Sequence, residues 1–250
     1  IDFVEDKCSE KVKMSKCHRM SSLLKLLTSL LSEERGVSET RNDIYNILNN
    51  NYSFALVWAI GGNVLDSSRD AFSDFLWNHL SSVLGQKIPA MSVYDFVVDN
   101  DKASKVSWTT LVSVFQYNPK MSYFDMIVPT EDTAKYTFLL EAIILKGFNV
   151  LFLGETGIGK SVITQSFLDN DAHGDIFVST TISYSAQTTP ENVREIFETR
   201  LEKKRKNLIG PPAGKRMVFF VDDLNMPTLE EYGAQPPNEL LRQVIDDQGY

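Results

Sequence analysis

The sequence predicts an α/β fold, in which a parallel sheet has helices on both faces and is preceded by a mostly helical subdomain. Two observations support this prediction. Apolar residues recur at three- and four-residue steps in the first half of the chain, and short apolar runs alternate with helical patterns in the second half. We therefore expect a helical subdomain with its connector over residues 1–120 and an α/β unit over residues 121–250.

The helical half contains three amphipathic patterns. They are "LLKLLTSLL" (23–31), "NDIYNILNNNYSFALVWAI" (42–60) and "SSRDAFSDFLWNHLSSVLG" (67–85). Glycine follows the second pattern and closes the third, as is common where helices end. We interpret the apolar stripes as core packing rather than as a cofactor site. The third pattern predicts one buried stripe, formed by Phe72, Phe75, Leu76, His79, Leu80 and Val83.

The second half alternates between strand and helix patterns, as is typical of a parallel sheet. The connector at residues 91–120 is mixed and partly extended, with Trp108 and Phe115 as its expected anchors. The predicted strands are "FNVLFL" (148–153), "DIFVSTTISYS" (175–185) and "RMVFFVDD" (216–223). The predicted helices are "TAKYTFLLEAIILKG" (133–147), "KSVITQSFLDN" (160–170) and "TPENVREIFETRLEKKRK" (189–206), and "GPPAGKR" (210–216) is a predicted loop.

The stretch "GETGIGKS" (154–161) fits the phosphate-loop pattern Gly-x-x-x-x-Gly-Lys-Ser. It follows a predicted strand and opens a predicted helix, which is the context that such a loop requires. Its glycines allow backbone N–H groups to face inward around an anion, and the helix N-terminus adds its positive dipole end. We expect Lys160 to reach the β- and γ-phosphates. The expected phosphate-binding residues are Gly154, Glu155, Thr156, Gly157, Ile158, Gly159, Lys160, Ser161 and Val162.

A second acidic strand would complete a nucleotide site. "MVFFVDD" has four apolar residues leading to Asp222 and Asp223, which is the Walker-B arrangement. We expect ATP or ADP with Mg²⁺, the metal being held by Ser161 and Asp222. Asp223 stands where a catalytic base polarises the attacking water. Most hydrolysing relatives carry Glu there, and because Asp is one methylene shorter we expect tight binding with slow hydrolysis.

Composition narrows the possible functions. The net charge of −8 and the pI near 5.0 argue against a nucleic-acid surface, which needs a basic field. The run "LLKLLTSLL" is too short to span a bilayer, no signal-peptide pattern is found and cysteine is sparse. We therefore expect a cytoplasmic protein without membrane contact. The first residue is Ile rather than Met, so we expect a piece of a longer chain.

Other interpretations of these motifs stay open at this point. A GTPase or a small-molecule kinase also has a phosphate loop, although the Asp-x-x-Gly and Asn-Lys-x-Asp segments of GTPases are not found. Another interpretation is a non-catalytic module that holds its nucleotide as a structural staple. The run "KKRK" (203–206) could suggest nucleic acid, but we expect the solvated end of a helix, where basic residues are favoured. "GPPAGK" (210–215) precedes a strand, so we expect a turn there and no second phosphate loop.

Two longer segments closely resemble the dynein heavy chain family. They are "VPTEDTAKYTFLLEAIILKGFNVLFLGETGIGKS" (128–161) and "VFFVDDLNMPTLEEYGAQPPNELLRQVIDDQGY" (218–250). Within that family they resemble the third of six AAA+ modules, which have the P-loop NTPase fold. The motifs "DDLNMP", "YGAQPP" and "ELLRQ" are similar to the axonemal branch. The segments "FALVWAIGG" and "SSRDAFSDFLW" resemble the helical small subdomain of the second module, linked to the third through Trp108 and Phe124.

The resemblance implies a motor of cilia and flagella that couples ATP hydrolysis to movement along microtubules, with a regulatory third module. It implies that Val128 and Pro129 lie next to the adenine, and that Arg69 is a phosphate-sensing arginine of the second module. Ser183 replaces the family's usual Asn, at a position that can restrain the catalytic acid. The implied partners are the neighbouring AAA+ modules of the same heavy chain. Dynein light and intermediate chains and microtubules would contact other parts of it, in the cytoskeleton of the axoneme.

The resemblance also implies an incomplete C-terminus. In the family, the strand that carries the sensor residue lies between the phosphate-loop strand and the Walker-B strand but comes later in sequence. The helical lid and the arginine finger of the next module also follow. A sheet without its central strand leaves backbone groups unpaired. We therefore expect the isolated chain to be inactive and not to be a self-sufficient folding unit.

Overall fold

The computed structural model describes residues 1–85, 87–115, 117, 126–206 and 208–247. The chain divides into two compact units, Ile1–Lys160 and Ser161–Tyr250. The expected domain boundary near residue 120 stays a prediction, and the expected link at Phe124 lies outside the described residues. Within the described ranges, no helix combines the length and the apolar character needed to cross a membrane.

The first unit is mainly helical, and the three helices predicted in its first half are confirmed. Helix α4 ends at Gly85, whose φ of 63° is one that glycine adopts without strain. Thr130 caps α5 through a reciprocal pair of hydrogen bonds with Thr133. The elements are α1 (Asp2–Lys7), α2 (Lys16–Leu30), α3 (Ile44–Ile60), α4 (Asp66–Leu84), the antiparallel hairpin β1 (Phe96–Asp99) and β2 (Ser104–Ser107), and α5 (Glu131–Ile144).

An aromatic cluster forms the core of the first unit. Trp108 is completely buried, and its indole N–H donates to the carbonyl oxygen of Tyr94 at 2.9 Å. Its ring lies 6.0 Å from Phe54 and 5.7 Å from Phe138 of α5, measured between centroids. The hydrogen bond satisfies the one polar atom of the indole, so the whole side chain can be buried. Trp108 is therefore an anchor of the connector, as predicted.

Two predictions about burial in this unit are wrong. Phe115 is 42% exposed, so it does not anchor the connector. On α4, Phe72, Leu76 and Leu80 are buried, but Phe75, Val83 and His79 are exposed. At 100° per residue the stripe predicted from the sequence is wider than the face that α4 buries. Phe75 lies at its flank, where its ring stacks on Phe3 at a centroid distance of 4.0 Å.

The second unit contains a parallel strand pair. The elements are α6 (Lys160–Leu168), β3 (Phe177–Ser183), α7 (Pro190–Arg200), β4 (Glu202–Arg205), β5 (Leu208–Gly210), β6 (Arg216–Asp222) and α8 (Pro236–Asp247). Strands β3 and β6 pair in parallel from Phe177 opposite Arg216 to Ser183 opposite Asp222. Thr189 caps α7 and Pro190 occupies its first turn, as the sequence predicts. The predicted α/β class with a parallel sheet is confirmed.

Helices cover both faces of this strand pair. Successive side chains of a strand point to opposite faces. Phe177 and Thr181 contact α6, through the ring of Phe167 at 6.0 Å and the amide of Gln165 at 2.8 Å. On the opposite face Ile182 packs in a buried cluster with Val193 and Phe197 of α7 and Leu240 of α8. Alternation along β3 therefore places α6 on one face and α7 and α8 on the other.

The predicted strand at residues 148–153 is wrong. These residues form no ladder in the structure, and Leu151 and Leu153 are 63% and 44% exposed. Phe148, Val150 and Phe152 are half-buried, and Phe152 packs against Tyr136 of α5 at 5.7 Å between ring centroids. An apolar run indicates that a segment suits a sheet, but its backbone groups must still meet a neighbouring strand. Pairing with a neighbouring strand depends on where the tertiary structure places the run and not on its composition.

The predicted helix at 189–206 is too long. Helix α7 ends at Arg200, Leu201 has an extended conformation, and "EKKR" forms β4, which pairs with β5. The basic run is therefore part of a hairpin and not the end of a helix. Its side chains are exposed, which suits the open edge of a two-stranded sheet because charged lysines hinder pairing with another chain.

Candidate functional site

The glycine-rich loop of the first unit has the backbone conformation that its sequence predicts. Gly157 and Gly159 have φ of 85° and 89°, in the left-handed region that other residues rarely adopt. A Cβ atom on Gly154 would lie 2.4 Å from Cδ1 of Ile158, the end of an exposed side chain that can move aside. Helix α6 begins at Lys160, directly after the loop. The backbone conformation thus favours glycine at 157 and 159.

The side chain of Lys160 lies over this loop. Its ammonium group donates to the carbonyl oxygens of Gly154 at 3.1 Å and of Glu155 at 2.5 Å. A cation held by neutral carbonyls can exchange them for phosphate oxygens, since hydrogen bonds between charged partners are stronger. The loop around it is open to solvent: Glu155, Thr156 and Ile158 are exposed. The arrangement places a positive charge and turned backbone within one short exposed loop.

The other residues predicted near the nucleotide lie at helix starts. Val128 is 59% exposed and Pro129 is half-buried, immediately before the cap of α5. Val162 is exposed in the first turn of α6, next to the half-buried Ser161. Arg69, predicted to sense phosphate, pairs with Asp66 at 2.9 Å, and its guanidinium lies 5.0 Å from the centre of the Tyr94 ring.

The acid pair of the second unit stands at the carboxyl end of β6. Asp222 is its last residue and is half-buried, whereas Asp223 follows it and is exposed. Ser183 lies directly opposite Asp222 in the ladder, and the N–H of Tyr184 donates to the carbonyl oxygen of Asp222 at 3.0 Å. Ser183 therefore lies across the strand pair from Asp222, the expected metal ligand, and its predicted link to the catalytic acid Asp223 stays a prediction.

Ser161 lies toward the carboxyl end of the strand pair, where the acid pair also stands. Along α6, Gln165 contacts Thr181 and Phe167 contacts Phe177, so the helix runs antiparallel to β3. The N-terminus of α6, which carries Ser161, therefore points toward the Ser183 end of β3, beside Asp222. Crevices at the carboxyl ends of parallel strands are where open α/β sheets bind ligands. One hydroxyl and one carboxylate fit Mg²⁺, which retains waters and uses phosphate oxygens for most of its coordination.

Asp223 has an unusual backbone conformation. Its φ is 55°, and only Ala103 shares a positive φ among the described residues other than glycine. Asp tolerates the left-handed region better than most residues because its short polar side chain can bond locally. Here the local bond comes from the preceding side chain, since Oδ1 of Asp222 accepts from the N–H of Asp223 at 3.1 Å. Beside the pair, burial raises the pKa of Tyr184 to about 12.

Sequence reasoning missed two residues that the structure brings to this acid pair. Gln235 and Asn238, at the start of α8, donate from their side-chain amides to backbone carbonyls of the loop that follows Asp223. Gln235 lies in the motif "YGAQPP", and Asn238 stands between that motif and "ELLRQ". Amide side chains flanking two prolines at a helix start are a signal that could have indicated such a contact.

Comparison with known proteins agrees with these features. A family model described as "P-loop containing dynein motor region" matches residues 115–250, and one described as "Dynein heavy chain AAA lid domain" matches residues 1–110. Human dynein axonemal heavy chain 6 is 36% identical over 253 residues, which cover 100% of this chain and 6% of that protein. Mouse dynein axonemal heavy chain 3 is 34% identical over 275 residues, covering 98% of this chain and 7% of that protein.

The chain thus spans well under a tenth of the length of these relatives. The motor-region match covers more than half of the chain, including the glycine loop, the parallel strands and the acid pair. The lid-domain match covers helices α1 to α4 and the connector as far as residue 110. The resemblance drawn from the motifs is confirmed, and the chain belongs to the family of P-loop-containing dynein motor regions, in which it supplies part of an AAA+ module.

Proposed function

We propose that this chain is the nucleotide-binding part of the third AAA+ module of an axonemal dynein heavy chain, preceded by the small subdomain of the second. It binds MgATP and MgADP at residues 154–162. The observation that carries this proposal is the loop itself, where two glycines with left-handed backbone lead into α6 and the Lys160 ammonium is held only a few ångström from the loop carbonyls. Turned backbone, a lysine and a helix start form an anion site.

Each residue has a defined task in the proposed site. The Lys160 ammonium leaves the carbonyls of Gly154 and Glu155 for the β- and γ-phosphates, and Ser161 and Asp222 hold the metal. Bound Mg²⁺ would neutralise charge on the phosphate oxygens. Val128 and Pro129 border the adenine. Asp223 accepts the proton of the attacking water.

Hydrolysis at this site is proposed to be slow. The side chain of Asp223 is one methylene shorter than that of Glu. Its backbone is left-handed, so the direction of the carboxylate depends on the turn that contains Asp223. Ser183, opposite Asp222, is shorter than the Asn it replaces and reaches the acid pair less well. General-base catalysis typically contributes about 10²–10⁴-fold, so a misplaced base lowers turnover strongly. The module then acts mainly through the nucleotide it holds and regulates the motor ring.

A second candidate is a purely structural nucleotide. The exposed, left-handed Asp223 favours it, because a carboxylate that the backbone turns toward solvent would not activate water at the phosphates. In that case bound MgADP would exchange slowly and no phosphate would be released at this site.

Both candidates place the chain in the same setting. The proposed partners are the neighbouring modules of the heavy chain, while microtubules and the light and intermediate chains contact other parts. The proposed location is the axoneme of cilia and flagella, as for the relatives named above.

Nucleotide binding is tested by calorimetry with MgATP and MgADP on the 250-residue chain and on the heavy chain that carries it. Lys160→Ala should abolish binding at this site. Lys215→Ala is the matched control, because Lys215 also donates to a backbone carbonyl, that of Gly174, but lies in the look-alike "GPPAGK". Binding by the heavy chain alone would mean that the site needs the rest of the protein. An amount of bound nucleotide that Lys160→Ala leaves unchanged, no binding in either preparation, or a preference for GTP at this site would overturn the proposal.

A further inference from the structure

The direction of the Asp223 carboxylate is set by its backbone. Among the described residues this carboxylate makes no hydrogen bond of its own, and the side chain is exposed. A non-glycine residue in the left-handed region is strained unless the surrounding structure holds it. The question is therefore which residues hold the backbone from Asp223 onward.

The chain turns directly after the acid pair. The N–H of Met226 donates to the carbonyl oxygen of Asp223 at 2.9 Å, which closes a turn over residues 223–226. The carbonyl oxygens of this turn and of the residue after it face the start of α8. Asn238 Nδ2 donates to Leu224 at 3.0 Å, and Gln235 Nε2 donates to Asn225 at 3.2 Å. Gln235 Nε2 also donates to Pro227 at 2.6 Å.

We call this set of contacts the amide latch, formed by Gln235 and Asn238 with the carbonyls of 224, 225 and 227. Its two amides are also joined to each other, since Asn238 Nδ2 donates to Gln235 Oε1 at 2.8 Å. Each amide nitrogen carries two hydrogens, so all four donors are used. Flipping either amide would place its oxygen against a carbonyl oxygen. The latch therefore needs amides at both positions and excludes carboxylates of the same shape.

The far end of the loop is anchored separately. The hydroxyl of Thr228 donates to the carbonyl oxygen of Ala186 at 2.7 Å, in the loop that follows β3. The segment between β6 and α8 is thus attached to β3's loop at one end and to α8 through the latch. Asn238 Oδ1 is buried without a hydrogen-bond partner. An unsatisfied acceptor is unfavourable, so the contacts of the amide nitrogen with the loop decide how this side chain is oriented.

We propose that Gln235 and Asn238 are positioning residues for Asp223: the amide latch holds the turn that keeps Asp223 in its left-handed conformation and aims its carboxylate. This inference rests on the proposed function, because Asp223 matters as a base only if nucleotide binds. It links the start of α8 to the acid pair, so any displacement of α8 would change the direction of the base.

Amide hydrogen exchange of the heavy chain tests the structural part directly. Asn238→Asp and Gln235→Glu keep the shape of each side chain but remove donors. Exchange of the Met226 amide, whose bond closes the turn, and of the Asp223 amide at its start should accelerate at least about tenfold. Gln243→Glu is the matched control, since it makes the same chemical change on the exposed side of α8. Unchanged exchange in both latch variants, with unchanged melting, would overturn the latch.

The nucleotide state of the site tests the link to Asp223. The nucleotide bound at this site is measured as the amount that the unaltered heavy chain retains and its Lys160→Ala variant loses. With Asn238→Asp the amount retained should stay within about twofold, while conversion of retained ATP to ADP slows about tenfold or more. On an Asp223→Ala background the same variant should slow conversion no further, because residues that act through one group are not additive.

The failures of the two proposals are distinguishable. If Lys160→Ala removes no nucleotide from the unaltered heavy chain, the proposed function fails, and the exchange experiment still decides whether the latch holds the turn. Nucleotide loss in step with slower conversion, or further slowing on the Asp223→Ala background, would assign Gln235 and Asn238 a general structural role and overturn the positioning proposal.

Discussion

Replacing the left-handed glycines of the phosphate loop by alanine should weaken nucleotide binding by a predictable amount. Gly157 and Gly159 have φ of 85° and 89°. A Cβ atom added at either position would meet no heavy atom within 4 Å. Within the protein, steric clash therefore contributes nothing, and the effect of Gly157→Ala or Gly159→Ala on the loop comes from backbone strain.

The magnitude follows from that strain. An L-residue in the left-handed region is less stable by about 1–2 kcal/mol. Because the loop is exposed, an alanine variant can relax to negative φ in the nucleotide-free protein. The nucleotide must then restore the strained conformation, so the difference appears in its affinity. About 1–2 kcal/mol corresponds to a loss of roughly 5- to 30-fold in affinity for MgADP.

Calorimetry with MgADP measures this loss, beside Gly214→Ala as a control. Gly214 has φ of 76° and equally empty surroundings, but it lies in the loop before β6. Its substitution should lower stability without changing the affinity. The reasoning is refuted if both loop variants bind MgADP as tightly as the unaltered protein, or if Gly214→Ala weakens binding equally.

Three further outcomes are expected. Trp108→Ala should lower the free energy of unfolding by about 3–5 kcal/mol in urea, since the indole is completely buried, whereas Phe115→Ala should change it by less than about 1 kcal/mol. Burial lowers the pKa of Lys105 from 10.5 to about 8, so between these values the unfolded chain binds a proton that the folded protein has lost, and stability rises with pH. Lys105→Met should abolish this rise in urea unfolding at pH values across that window, and an unchanged rise would contradict the cause given. Asp223→Glu should speed conversion of the ATP retained at this site to ADP about tenfold at unchanged MgADP affinity, and a lower rate would argue against Asp223 as the base.

Local patterns in the sequence determined much of the fold and of the site. The sequence predicts helices α3 and α4, the cap of α7 and strands β3 and β6. Each of these features depends on residues that are close together in sequence. The same holds for the loop at residues 154–161, where glycines allow positive φ because they have no Cβ atom. The acid pair was predicted for the same reason, since it directly follows an apolar strand.

The tertiary structure decided what depends on distant partners. The run at 148–153 is as apolar as β6, yet it forms no ladder, and the basic run at 203–206 became a strand because β5 pairs with it. Gln235 and Asn238 donate to the loop after Asp223 from more than ten residues away in sequence, and Asp223 itself has a left-handed backbone. No periodicity encodes such contacts. The sequence therefore determined which chemical groups are present, while the contacts between the start of α8 and the loop after the acid pair followed only from the tertiary structure.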